Sequence, residues 1–141
     1  MALTVKFKKL NPNAKMPVKK YKGDACFDLM AIDIELTDKY IEYKTGIAVE
    51  IPDGYVGLAF PRSSITKMDL LLKNSVGVID SNYRGEVTAR FTRIGNGGDI
   101  YIPGDRIVQL MIIKNEEIQW IEVDELSFSD RGENGYGSTG K

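Results

Sequence analysis

The sequence predicts an all-β fold. Three observations carry that reading. Apolar and polar residues alternate in several short runs, the two-residue period of a half-buried strand. Gly, Pro and Asp clusters break those runs at close spacing, as turns do. Only one segment, residues 63–72, has the composition of a helix. Many short strands with frequent turns assemble as an antiparallel sandwich or barrel.

The elements follow in order. Leu3, Val5 and Phe7 alternate with Thr4, Lys6 and Lys8, giving a first strand. Ile32, Ile34 and Leu36 alternate with Asp33 and Glu35. Ile47, Val49 and Ile51 lead to the turn Pro52-Asp53-Gly54, and residues 55–60 read as the returning strand. Residues 63–72 are poor in β-branched side chains and end in three leucines; Ser63 or Ser64 is placed to cap a short helix there. Val87, Ala89 and Phe91 alternate with Thr88, Arg90 and Thr92. A glycine-rich loop at 95–99 and the turn Pro103-Gly104-Asp105 precede residues 106–113, apolar enough for a central strand, and residues 118–123 form the last. Residues 127–141 are rich in Ser, Gly and Asn and supply little to a core.

Composition narrows the function. A chain of 141 residues makes one domain and buries enough surface to need no disulfide or structural metal. One cysteine, Cys26, excludes an internal disulfide, and no signal-like apolar stretch opens the chain. Both suit a reducing compartment, the cytoplasm or a host's cytoplasm for a viral protein. Cys26 reads as a small buried apolar residue. No apolar run is long enough to span a bilayer. The net charge of −1 gives no support to direct nucleic-acid binding.

The chain contains no histidine, so proton abstraction near neutral pH falls to a carboxylate, Lys, Tyr or the thiol. Gly77-Val78-Ile79-Asp80-Ser81-Asn82-Tyr83-Arg84-Gly85-Glu86 runs from an apolar strand end into an acid and then an aromatic. That pattern sets a carboxylate beside a ring at a hairpin tip, although Asp-Ser-Asn is also ordinary turn chemistry. Pro61-Arg62-Ser63-Ser64 combines a guanidinium with two hydroxyls where a helix would start, a phosphate-site composition that serves equally as a cap beside a surface charge. Gly135-Tyr136-Gly137-Ser138-Thr139-Gly140 matches G-x-G-x-x-G, but no helix can follow it one residue from the end of this sequence, so it is not a dinucleotide fingerprint. Its amides and hydroxyls, with Arg131, suit a lid over a phosphate ligand. With no His and no Cys pair, a hard ion such as Mg2+ held mainly by substrate phosphates is the metal to expect.

These segments stand in one order. They are Gly23-Asp24-Ala25-Cys26-Phe27-Asp28-Leu29; Pro61 to Ser64; Asn74 with the hairpin 77–85; Gly104-Asp105-Arg106-Ile107-Val108-Gln109-Leu110; and Arg131 to Gly140. The set resembles the five ordered motifs of the trimeric dUTP pyrophosphatases, or dUTPases, over nearly the whole chain. It departs from them at Cys26 and Asn134, where the family usually has Gly, and at Tyr136, where Phe is commoner. The resemblance implies a jelly-roll-like distorted β-barrel with one short helix, a catalytic domain at 1–126 and a flexible tail at 127–141. It implies a homotrimer whose active sites are shared, the tail closing over a neighbouring subunit's site. Asp80 would be the catalytic base acting on a water. Asn74, Gly77, Val78, Ile79, Tyr83 and Tyr136 would bind base and sugar. Arg62, Ser63, Ser64, Gln109, Arg131, Gly137, Ser138 and Thr139 would hold the triphosphate. Asp28 would reach Mg2+ through water. The related dCTP deaminases carry a Glu base ten residues after the motif Asp; Arg90 stands there and cannot accept a proton.

Overall fold

The computed structural model describes residues 2–140. Among these residues nine strands form two antiparallel sheets. The strands are β1 (Lys6–Lys9), β2 (Phe27–Met30), β3 (Asp33–Leu36), β4 (Ile41–Glu50), β5 (Tyr55–Pro61), β6 (Leu70–Leu72), β7 (Gly77–Ile79), β8 (Glu86–Arg93) and β9 (Arg106–Lys114). One sheet runs β1-β4-β8-β6, with β3 also paired to β4; the other runs β2-β9-β5-β7. This is the all-β, jelly-roll-like architecture the sequence implies.

The core lies between the sheets. Tyr43 and Phe91 come from the first, and Leu29, Ile79, Ile107, Val108 and Leu110 from the second. Tyr43, Phe91 and Tyr101 meet edge to face, with ring centroids 5.4–6.1 Å apart. Such pairs add to the burial of their area, and deleting the Phe91 ring would cost about 3–5 kcal/mol. The Tyr43 hydroxyl donates to the Tyr101 carbonyl at 2.7 Å. Burial pushes its pKa up to about 12, helped by the charge of Asp105.

β4 bends where its pairing with β8 shifts register between Lys44 and Ala48. Gly46 sits in that bend with φ +68°, and a Cβ there would strike the Ile32 side chain. The buried Thr45 hydroxyl donates to the Val87 carbonyl at 2.6 Å, closing the gap in the ladder.

Four local expectations change. The first strand begins at Lys6, so Leu3 precedes it. The helix over 63–72 is a single 3-10 turn, Ser63–Lys67, whose N-cap is Arg62 and which has no side-chain cap. The leucines that follow form β6, because pairing Leu70 with Arg93 and Leu72 with Phe91 buries Leu70 and Leu72. Residues 118–123 find no partner strand among the described residues and lie extended and exposed. β2, which the alternation did not reveal, joins β9 and brings Asp28 beside Gln109.

Candidate active site

Two open pockets hold most of the residues singled out by sequence, and they share none. The first, about 200 Å³, is lined by Asn74, Gly77, Val78, Ile79, Asp80 and Tyr83, together with Ala59, Glu86, Val87 and Thr88. β7 builds it. Pairing of Gly77 with Ala59 and Ile79 with Gly57 fixes the strand, and the buried Ile79 side chain anchors it. The chain then turns, the Tyr83 amide donating to the Asp80 carbonyl at 3.1 Å. The Tyr83 hydroxyl donates to the Glu86 carbonyl at 2.9 Å, which holds the ring across the hairpin. A Cβ on Gly85 would collide with that ring, so glycine is what lets it lie there. The Asp80 side chain is exposed, and among the described residues no hydrogen bond or ion pair reaches its carboxylate.

On the other side, Asn74 stands before a tight turn in which Ser75 takes φ +62° and the Val76 amide donates to the Asn74 carbonyl at 2.6 Å. A non-glycine residue there carries roughly 1–3 kcal/mol of strain, a cost found where the fold must hold a neighbour in place.

The second pocket, about 380 Å³, is lined by Lys20, Tyr21, Asp24, Ala25, Cys26, Asp28, Arg62, Ser63, Arg106 and Gln109. Its centre is a bracket of charges. Arg62 Nε donates to Asp28 Oδ1 at 2.9 Å, and Arg106 Nη1 donates to Asp28 Oδ2 at 3.1 Å. Arg62 Nη1 also donates to the Arg106 carbonyl at 3.1 Å. Two guanidiniums around one carboxylate leave a net positive cradle with unspent N–H donors, the arrangement that suits phosphate oxygens. Gln109 is fixed by donation from Nε2 to the Pro61 carbonyl at 2.9 Å.

Arg106 reaches this face through a β-bulge. Its strand slips register against β2 between Leu29 and Met30, so Ile107 and Val108 both point into the core. The extra residue returns Arg106 to the face that Gln109 shares with Asp28. Sequence reasoning did not single out Arg106, and a bulge leaves no mark in strict alternation.

Two placements differ from expectation. Ser64 does not line the cradle; its hydroxyl sits behind Arg62, 3.4 Å from Nη1 and 3.2 Å from the Tyr101 hydroxyl. Cys26 is half-buried on the pocket wall rather than in the core. Burial raises its thiol pKa and Asp28 adds to this, with Lys19 opposing. Arg131, Tyr136, Gly137, Ser138 and Thr139 lie in an exposed tail, apart from both pockets. Arg131 Nε donates only to the Asn134 carbonyl, at 2.9 Å.

Among the described residues no group of three or more Asp, Glu, Cys or His is placed to hold a metal ion. Asp28 spends one lone pair of each oxygen on arginine, which leaves it able to accept from a metal-bound water. The donor set therefore fits an ion carried by substrate phosphates, not one caged by protein. Arg90 pairs with Glu42 at 2.6 Å and covers the Tyr40 ring, a surface role.

A β-sandwich bearing an open hairpin pocket and a separate arginine cradle suits a protein that binds a nucleotide. The family model for dUTPase matches residues 12–140, and the chain belongs to the dUTPase family. The deoxyuridine 5'-triphosphate nucleotidohydrolase of Corynebacterium diphtheriae is 40% identical, with 96% of this chain and 92% of that protein covered. That of Mycobacterium tuberculosis is 38% identical, with 99% and 97% covered. The dUTPase of Staphylococcus bacteriophage 80alpha, solved with dUPNHPP, superposes with a TM-score of 0.83 at 30% identity, over 99% of this chain and all of that one. A mutant dUTPase from phage phi11 of S. aureus, described as coordinating a structural Mg(II) ion, gives 0.73 at 25% identity, over 89% of this chain and all of that one. Among the described residues no helix is long and apolar enough to cross a membrane.

Proposed function

We propose that the chain hydrolyses dUTP to dUMP and pyrophosphate, limiting uracil incorporation into DNA and supplying dUMP for dTMP synthesis. The observation that carries the reading is the hairpin pocket, where a carboxylate with no partner among the described residues stands beside a fixed phenol ring and the backbone edge of β7.

Asn74 and the backbone of Gly77, Val78 and Ile79 pair with the uracil edge. Cytosine presents a donor where uracil presents an acceptor and would leave buried polar groups unpaired. Tyr83 packs under the deoxyribose and leaves no room for a 2′-hydroxyl. Asp80 accepts a proton from a water as that water attacks the α-phosphorus in line; the P–O bond to pyrophosphate breaks, and pyrophosphate leaves. Arg62, Ser63 and Gln109 hold the triphosphate, with Ser64 supporting Arg62. Arg131, Gly137, Ser138 and Thr139 arrive from the tail, and Tyr136 stacks on the uracil. Mg2+ bound to the phosphates, with Asp28 accepting from a water in its shell, would offset charge on the triphosphate.

The active assembly is a homotrimer, its catalytic domains at 1–126 and its tails at 127–141. Three features support a shared site. The two pockets have no residue in common. The tail touches neither. The arm before it bears Ile118, Trp120, Ile121, Val123 and Leu126, all exposed, which a lone subunit leaves in water. The arm is also acidic, with Glu116, Glu117, Glu122, Asp124 and Glu125 and no base, whereas the first 22 residues carry seven lysines and no acid. Those opposite charges favour contact between copies.

The test is pyrophosphate release from dUTP, dCTP, UTP and dTTP with Mg2+. Strong preference for dUTP is expected. Equal turnover of UTP or dCTP would refute the proposed specificity.

A further inference from the structure

Tyr101 lies in the segment between β8 and β9, outside every motif above, and is almost wholly buried. Its ring is wedged against Tyr43 and Phe91 of the first sheet, and its carbonyl is gripped by the Tyr43 hydroxyl. Tyr101's backbone and ring are thus fixed by a buried aromatic cluster. Its hydroxyl points the other way, to the Ser64 Oγ at 3.2 Å, and Ser64 Oγ accepts from Arg62 Nη1 at 3.4 Å.

We propose that Tyr101 is a positioning residue for the phosphate cradle, setting the Arg62 guanidinium through Ser64. The chemistry allows it. A serine hydroxyl has two lone pairs and one proton, so it can take the Arg62 N–H and still bond the phenol in either direction. Arg62 is held at both ends. Asp28 fixes Nε, while at Nη1 the Arg106 carbonyl at 3.1 Å and the Tyr101–Ser64 pair both accept its donors. The Tyr101–Ser64 pair is thus a third anchor, which narrows the swing that the other two leave and sets the direction of the remaining N–H groups. A phosphate clamp needs that fixed fork, because binding then orders fewer groups. Ser64 thereby acquires a role different from the direct phosphate contact its place in the motif suggests. The inference rests on the proposed function only in taking Arg62 to bind the triphosphate.

Tyr101→Phe removes the hydroxyl and keeps the ring. Steady-state kinetics with dUTP, inorganic tripolyphosphate titration and thermal melting would be compared for Tyr101→Phe, Ser64→Ala and the double variant. The expected result is a rise in KM, and in tripolyphosphate Kd, of about two- to tenfold for Tyr101→Phe, the span of one neutral hydrogen bond. The expected kcat change is smaller, and the double variant should be no worse than Ser64→Ala alone, since both act on one relay. Unchanged KM and Kd, with or without a lower Tm, would make Tyr101 purely structural. Effects that multiply in the double variant would show that Tyr101 acts by another route. Either overturns the inference. Should the wild type fail to hydrolyse dUTP while tripolyphosphate affinity still falls in the variants, the proposed function fails and the positioning role stands.

Discussion

The hairpin pocket and the arginine cradle are built on opposite principles. In the cradle nearly every charge is already spoken for. Asp28 binds two arginines, Arg62 also bonds a carbonyl and a serine, and Gln109 is tied to a backbone oxygen. In the pocket the key acid is exposed, and among the described residues nothing reaches its carboxylate. The difference separates binding from chemistry. A site that grips three phosphates gains from donors ordered beforehand, since little entropy is then lost on binding. A base needs a free lone pair, so a partner that fixed Asp80 by a charge-assisted bond would also occupy it.

Substitutions can break this contrast. Asp80→Asn keeps the shape and removes the base. It should lower kcat about a hundredfold to ten-thousandfold, with KM for dUTP little changed and the melting temperature unmoved. A large rise in KM instead would make Asp80 part of the grip. Arg62→Ala should do the reverse in kind. It leaves the part-buried Asp28 with Arg106 alone, so stability falls as well as affinity. Kd for a non-hydrolysable dUTP analogue should rise roughly thirtyfold or more, the loss typical of one partner in a hydrogen-bonded charge pair. Binding of deoxyuridine should be unaffected. Equal losses for both ligands would show that the two regions do not work separately.

Tyr83→Ala sharpens the pocket side. It removes the ring proposed to exclude a 2′-hydroxyl, so the preference for dUTP over UTP, taken as a ratio of kcat/KM, should fall about tenfold or more. An unchanged ratio would assign sugar discrimination elsewhere.

Much of this was legible in the sequence, for identifiable reasons. The runs around Ile34, Val49 and Phe91 each bury one face against the other sheet, so alternation exposes them. Leu70 to Leu72 misled, because helix-forming residues were claimed by the free edge of β8. Residues 118–123 have the composition of a strand and no partner among the described residues, and a strand exists only with its neighbour. Asp80, Tyr83, Arg62 and Gln109 were named as candidates because each lies in an ordered motif. Arg106 lies in one too but was passed over, because a bulge places it, and Tyr101 lies outside them, placed by an aromatic cluster between a loop and the first sheet. Contacts of that kind join residues distant in sequence and leave no local pattern.

The central claim is that a working site joins one chain's hairpin to another chain's cradle. Asp80→Asn and Arg62→Ala proteins, each nearly inactive alone, would be unfolded together, refolded and assayed with dUTP. If the site is shared, about a quarter of the sites in randomly mixed trimers draw an intact hairpin and an intact cradle from different chains. Activity should then return to a similar fraction of wild type. If the mixture stays as inactive as its two components while forming mixed trimers, the hairpin and cradle of a single chain must act together, and the account is wrong.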